Sequence, residues 1–220
     1  MAIKIKPVGW FFLAFFLSGC ASFRVGGQVQ AGRQALMIGN SEAALAYFQQ
    51  AAESHPDYIY EAALFREGVW TYLGRAQYNL GKLAEARRSF ERALSIYKDD
   101  YLARIYLGLT LARSSDHAQA RKEIEAGLKG LYDWIEYRNT ADPFTAFWDP
   151  LREIRSVIEK DLAMISGRDI EWPKLIENVE WIGQKTEEEI DAVRRDQRMQ
   201  FQRDRDRGRR GLGVGVGIGF

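Results

Sequence analysis

Apolar residues recur at helical spacing along most of this chain. Ala86, Phe90 and Ala93 occupy positions i, i+4 and i+7, which places them on one face of a helix. A longer stripe with similar spacing ends near Gly167 and consists of Leu151, Ile154, Ile158, Leu162 and Ile165. The pattern predicts an all-α chain built from amphipathic helices.

The first residues follow a different pattern, which is that of an export signal. Lys4 and Lys6 precede residues 8–17, a run without charged or strongly polar side chains. A helix needs about 20 apolar residues to cross a bilayer, so this run is too short to span one and has the proportions of a signal peptide.

The residues that end this run, LSGC at 17–20, resemble the lipobox of bacterial lipoproteins. The resemblance implies that residues 1–19 are removed, that Cys20 is acylated, and that residues 20–30 form a lipidated linker. Ala21 stands where inner-membrane lipoproteins often carry Asp, so we expect an anchor in the outer membrane, facing the periplasm. The alternative is an ordinary secretory signal with an incidental cysteine.

Composition and motifs narrow the classes of binding site and activity that we expect of this chain. The chain has 31 basic and 30 acidic residues, which argues against a nucleic-acid partner. With one cysteine and two histidines it has neither an intramolecular disulfide nor a Cys/His zinc site. P-loop, HExxH and GxSxG motifs do not occur in the sequence. We therefore expect no enzyme and no cofactor, with a cell-wall enzyme or its activator as a minor alternative.

A spacing of 34 residues recurs in the central region. It separates Gly74 from Gly108 and Ala86 from Ala120. The same internal pattern appears upstream with an offset of 42 residues, so eight extra residues fall near 57–64. The positions that carry the pattern are Gly32, Gly39, Ala44, Phe48, Trp70, Leu73, Gly74, Gly81, Ala86, Phe90, Ala93, Gly108 and Ala120.

This pattern resembles the tetratricopeptide repeat. The resemblance implies three helix-turn-helix units at 25–58, 67–100 and 101–134, stacked as a solenoid. Phe90 is expected to be a buried knob for which the alanines leave room, and Gly74, which has no side chain, is expected to let the two helix backbones approach closely. The third unit departs from the pattern, with Ser115 at the turn glycine and Ile124 at the phenylalanine. The alternative is a set of unrelated amphipathic helices.

The residues after the repeats are dense in aromatic side chains between 130 and 148. They fit either an aromatic binding pocket or a cover for the apolar end of the solenoid, and the cover is favoured. Asp-Pro pairs at 142–143 and 149–150 predict helix starts, and Pro173 predicts another. We expect capping helices over 135–183.

The last part of the chain is charged and then rich in glycine. Acidic residues such as Glu187 precede eight arginines between 194 and 210. This order suits a helix dipole, so a solvated helix is predicted over 184–210, whose basic end could touch anionic lipid or the cell wall. In the tail, residues 211–220, glycine alternates with apolar residues; disorder or strand addition to a partner are the two interpretations.

The resemblance implies a scaffold that holds a protein or peptide segment of another envelope protein for assembly, secretion or transport. In such repeats the first helix of each unit lines the concave face. Residues at the matching turns are Arg33, Leu36, Thr71, Arg75, Tyr78, Asn79, Leu109 and Arg113. The three arginines favour an acidic ligand, because guanidinium pairs with carboxylate. The alternative function is a structural component whose tail joins an outer-membrane barrel or multimer.

Overall fold

A computed structural model describes residues 24–141, 148–167 and 169–211, with side chains described as far as residue 205. Within these residues the elements are α1 (24–37), α2 (Ser41–Ser54), β1 (Ile59–Ala62), β2 (Phe65–Gly68), α3 (Val69–Asn79), α4 (Leu83–Ile96), α5 (Tyr101–Arg113), α6 (His117–Ala141), α7 (Glu153–Ser166) and α8 (Trp172–Gly211). The predicted all-α solenoid is confirmed. The signal segment, Cys20, the first Asp-Pro pair and residues 212–220 of the tail lie outside the described residues.

Three helix pairs, α1–α2, α3–α4 and α5–α6, form the repeat stack, and each pair is closed by the same contact. A side chain at Gly74 would place its Cβ 2.6 Å from a ring carbon of Phe90, which is fully buried. Gly108 meets Ile124 in the same way in the third pair. These glycines are needed because each knob fills the space that a Cβ would take.

The turns inside the pairs share one backbone conformation. Gly39 and Gly81 have positive φ angles of 77° and 72°. Ser115, at the equivalent turn of the third pair, has φ 64°. The left-handed conformation therefore persists in the third pair although its glycine has been replaced, at an energetic cost that glycine does not have.

The extra residues between the first two pairs form a β-hairpin that the sequence did not predict. Strands β1 and β2 are antiparallel, with Ile59 opposite Gly68 and Ala62 opposite Phe65. The two residues of the turn, Ala63 and Leu64, both have positive φ angles. Such turns normally carry Asn or Gly, so this one has no recognisable sequence signal.

Helices α7 and α8 follow the repeats in the sequence and pack against them, together with aromatic residues that precede α7. The buried Trp148 ring meets Trp134 edge to face at 4.7 Å, and Phe65 of the hairpin contacts both tryptophans. The second Asp-Pro pair does not begin its helix directly. Asp149 accepts hydrogen bonds from the backbone of Ile154 and Arg155, so α7 begins at Glu153.

Three predictions for this part were wrong. Leu151 is 80% exposed and does not belong to the apolar stripe of α7, because it precedes the helix. The predicted boundary at 183/184 is not a helix break, since α8 runs without interruption from Trp172 to Gly211. Its middle is not solvated either, because Glu187, Ile190 and Val193 are buried. Among the described residues no helix is long and apolar enough to cross a membrane.

Candidate binding groove

The first helices of the three pairs, α1, α3 and α5, line a groove that α8 crosses. Helix α8 contacts α1 through Arg33, α3 through Arg75 and α5 through Tyr106. It comes closest to α5 at Gly183, where a Cβ would overlap the Tyr106 hydroxyl. A glycine at this point of α8 therefore lets the helix enter the groove.

One carboxylate of α8 joins the first two pairs. Glu187 accepts hydrogen bonds from Nε and Nη2 of Arg33, at 2.9 and 2.5 Å, and from Nη1 of Arg75. The three residues are 5% exposed or less. We call them the central ion cluster. They bring together residues that are more than one hundred positions apart in the sequence.

The hairpin adds a second carboxylate to this cluster. Glu67 accepts a hydrogen bond from the Tyr72 hydroxyl at 2.5 Å and faces Arg75 Nη1 at 3.3 Å. Burial and the nearby charge of Glu187 raise the pKa of Glu67 well above its ordinary value. Arg75 is therefore shared between the carboxylates of Glu67 and Glu187.

The pKa values of the central ion cluster favour its charged form. Burial alone would raise the pKa of Glu187, but Arg75 and Arg33 outweigh it and lower that pKa. Burial would lower the pKa of Arg33, and the carboxylate of Glu187 raises it instead. Glu187 is thus an ionised group whose charge the repeats neutralise.

A second carboxylate of α8 binds the groove two helical turns earlier. Glu180 accepts hydrogen bonds from the Tyr78 hydroxyl at 2.5 Å and from Arg113 Nη2 at 2.6 Å. The Arg113 guanidinium also lies 4.2 Å from the centre of the Tyr78 ring. The side chains of Arg113 and Glu180 are 39% and 33% exposed, so this pair is open to solvent.

A cleft of about 400 Å³ remains between α8 and the repeats. Six of the eight sequence-predicted residues line it, namely Arg33, Leu36, Arg75, Tyr78, Asn79 and Arg113. The other two do not. Thr71 donates to the buried Asp100 at 2.6 Å and helps to hold the start of α5. Leu109 is fully buried in the core.

The acidic partner predicted for the arginines is, in this structure, a helix of the same chain. Glu180 and Glu187 were not predicted as groove residues, because the acids near 187 were assigned to the start of a helix. That assignment was wrong, since α8 begins at Trp172 and Glu187 lies well inside it. The signal that the sequence does carry is two carboxylates seven residues apart with Gly183 between them.

The described part of the chain holds no group of three His, Cys, Asp or Glu side chains that could bind a metal ion. Arginine, tyrosine and carboxylate groups dominate the groove, and such groups bind by paired hydrogen bonds and charge.

Comparison with known families agrees with this geometry. Two tetratricopeptide-repeat family models match, one over residues 68–100 and one over residues 13–58. These two segments are therefore similar to tetratricopeptide repeats. The first of these matches falls on the second predicted unit, and the other extends upstream of the first unit. The repeats indicate a role in binding other proteins or peptides. No curated protein matches the chain.

Proposed function

We propose that this tetratricopeptide-repeat protein is a lipid-anchored scaffold on the periplasmic side of the outer membrane. Its groove would hold a segment of another envelope protein during assembly, secretion or transport, without catalysing a reaction. The observation that supports this function is the convergence of Arg33, Arg75 and Arg113, from three separate helices, on one cleft.

The cleft offers two kinds of contact to a peptide. Leu36 and the half-exposed Met37 give it an apolar end near the turn between α1 and α2. The ion pair of Arg113 with Glu180 forms a polar end that solvent reaches. A mixed surface of this size suits a few side chains of an extended or helical segment.

Crosslinking in cells tests the binding role. A photoreactive amino acid would replace Met37 or Asn79 at the rim of the cleft, and Lys122 on the outer helix α6 as the matched control. All three residues are exposed, so none of the substitutions should disturb folding. We expect specific crosslinked partners from the two rim positions. Identical products from Lys122 would contradict the assignment of the cleft.

The anchor is supported by the lipobox resemblance at Cys20. We expect labelled palmitate to enter the wild-type protein and not a Cys20→Ala variant, and we expect the variant to leave the membrane fraction. Equal labelling of both proteins would refute lipidation at this cysteine.

The basic end of α8 supports an additional contact with anionic lipid. Arg195, Arg198, Arg203 and Arg205 are exposed on a stretch of α8 with few apolar residues. We expect the purified protein to sediment with vesicles that contain phosphatidylglycerol, and less so at high salt. Arg198→Glu with Arg203→Glu should abolish this, whereas Arg121→Glu on α6 should not.

A further inference from the structure

The two ends of the repeat stack meet α8 in different ways. Buried apolar residues of α8, including Ile182 and Val193, belong to the same core as α5, α6 and α7. The separate apolar cluster of α1, α2 and α3 includes no described residue of α8. Around α1, the side-chain hydrogen bonds to α8 centre on Arg33.

The part of α8 that follows Gly183 has open space on the side that faces α1. The cleft of about 400 Å³ lies directly beside it and is lined by Gln184, Glu187 and Glu188 on one side and by α1 on the other. A glycine inside a helix also weakens it locally, by roughly 0.5–1 kcal/mol relative to alanine. The helix thus has a weak point where the polar contact with the first two pairs begins.

Buried ion pairs of this kind contribute specificity more than net stability. Removing two charges from water costs about as much as their attraction returns, so a buried pair is often no better than an apolar contact of similar volume. A second carboxylate offered from outside could therefore replace that of Glu187 with little net change in free energy. Exchange of one carboxylate for another is the step that such a site favours.

We propose that residues 183–194 are a tethered competitor for the partner site of the groove. The partner would be a helical segment with a carboxylate followed by apolar residues at the third and sixth positions after it, as in Glu187, Ile190 and Val193. These side chains lie on one face of α8 and are 5%, 1% and 2% exposed. The proposal rests on the binding function above and adds its regulation.

The tether makes the competitor effective. Residues 183–194 continue the helix whose preceding turns are packed in the core, so they are held beside the groove at a high effective concentration. They therefore exclude a free segment of equal intrinsic affinity. The site becomes available only when the tethered segment is weakened or the partner binds more tightly.

Peptide binding to the full-length chain tests this mechanism. The probe is a fluorescent peptide that copies residues 183–200, and its matched control carries glutamine in place of Glu187. The Glu187→Gln chain lacks the tethered carboxylate but keeps both arginines. Glu177→Gln is the matched control chain, because Glu177 is exposed on α8 and does not line the cleft.

We expect the Glu187→Gln chain to bind the probe at least about tenfold more tightly than the wild type or the Glu177→Gln chain. The control peptide should bind the Glu187→Gln chain no more tightly than it binds the wild type. A second chain, with Ile190→Ala and Val193→Ala, weakens the tethered segment and keeps Arg33, Arg75 and Glu187. It should also bind the probe, and it serves if circular dichroism shows that the first variant is unfolded.

Three results would overturn the proposal. Equal affinity of all chains would show that α8 does not compete. Equal affinity for the two peptides would show that the carboxylate is not recognised. No binding by either folded variant would show that the site does not accept a segment from outside. Each result leaves the crosslinking test at Met37 and Asn79 intact, so the binding function can stand or fall separately.

Discussion

The repeat stack and the central ion cluster are both buried, but they are built from opposite chemistry. In the stack, a glycine receives an apolar knob, as Gly74 receives Phe90. In the cluster, Glu187 lies between Arg33 and Arg75. In the stack, closely packed apolar side chains exclude water. The cluster, in contrast, is stable only while its buried charges are paired. The stack therefore depends on apolar packing, whereas the contact of α8 with the first two pairs depends on paired charges.

The two regions also differ in what a single substitution removes. Truncating a knob removes apolar contact and leaves a cavity, and the cost depends on how well the cavity collapses. Removing one partner of the cluster leaves charges buried without compensation. The following experiments separate these two kinds of loss.

The largest effect is expected at the central knob. Phe90→Ala should lower the free energy of unfolding by about 3–5 kcal/mol, because the ring is fully buried against Gly74. Urea denaturation measures this loss. Leu151→Ala, at a residue that is 80% exposed, is the control and should change stability by less than about 0.5 kcal/mol. A loss below about 1 kcal/mol for Phe90→Ala would show that the ring does not act as a buried knob.

A loss of similar or slightly smaller size is expected in the cluster. Glu187→Gln should cost about 3 kcal/mol at neutral pH, because two buried guanidinium groups lose their counter-charge. Glu188→Gln, one residue away and exposed, should cost almost nothing. The pKa of Glu187 is lowered in the fold, so its stabilisation is present above its ordinary pKa and is lost in acid.

Equal urea midpoints for Glu187→Gln and Glu188→Gln at pH 7 would mean that the cluster contributes no more than the protein surface. Packing alone would then account for the contribution of buried regions to stability.

Asp161 shows what a buried carboxylate does without such cations. One of its oxygens accepts from Asn178 at 2.7 Å and the other has no partner among the described residues. Burial raises its pKa to about 6 from an ordinary value of 3.8. The unfolded chain thus releases this proton first, and stability falls as the pH rises from about 4 to 6.

Asp161→Asn should therefore raise the free energy of unfolding at pH 7 by about 1–3 kcal/mol, because the neutral amide avoids the desolvation penalty. Below pH 4 the gain should vanish, since the carboxyl is then protonated in both states. Urea denaturation at the two pH values gives the difference. A gain that is the same at both would exclude ionisation as its cause.

The smallest effect is expected at the turn of the third pair. Ser115 has φ 64° where the other two pairs have glycine. Ser115→Gly should stabilise the protein by up to about 1 kcal/mol, because the left-handed conformation costs a serine about 1–2 kcal/mol and glycine returns part of this as chain entropy. Thermal denaturation measures the shift. Gly81→Ala is the reciprocal control and should destabilise.

The repeat stack could be predicted from the sequence alone, because the residue pattern that indicates it is local and periodic. Glycine, alanine and phenylalanine recur at fixed spacing, and each spacing has one structural use, so Gly74, Phe90 and the turn at Gly81 could be placed from the residue pattern. Six of the eight groove residues followed from the resemblance to the repeat, whereas Thr71 and Leu109 are buried away from the cleft. The hairpin could not be predicted, since Ala63 and Leu64 carry no turn signal.

The occupant of the groove was decided only by the tertiary structure. A pattern of charges shows that Glu187 could pair with a cation, but it does not show which one. Arg194, seven residues away, and an arginine over a hundred residues away are chemically alike. Burial selects between them: once Gly183 brings α8 against α5, water is excluded, and Glu187 pairs with the arginines that share its buried site. The period of a helix can be recognised from residues that are close together in the sequence. The pairing of buried charges depends on distances that exist only in the folded chain.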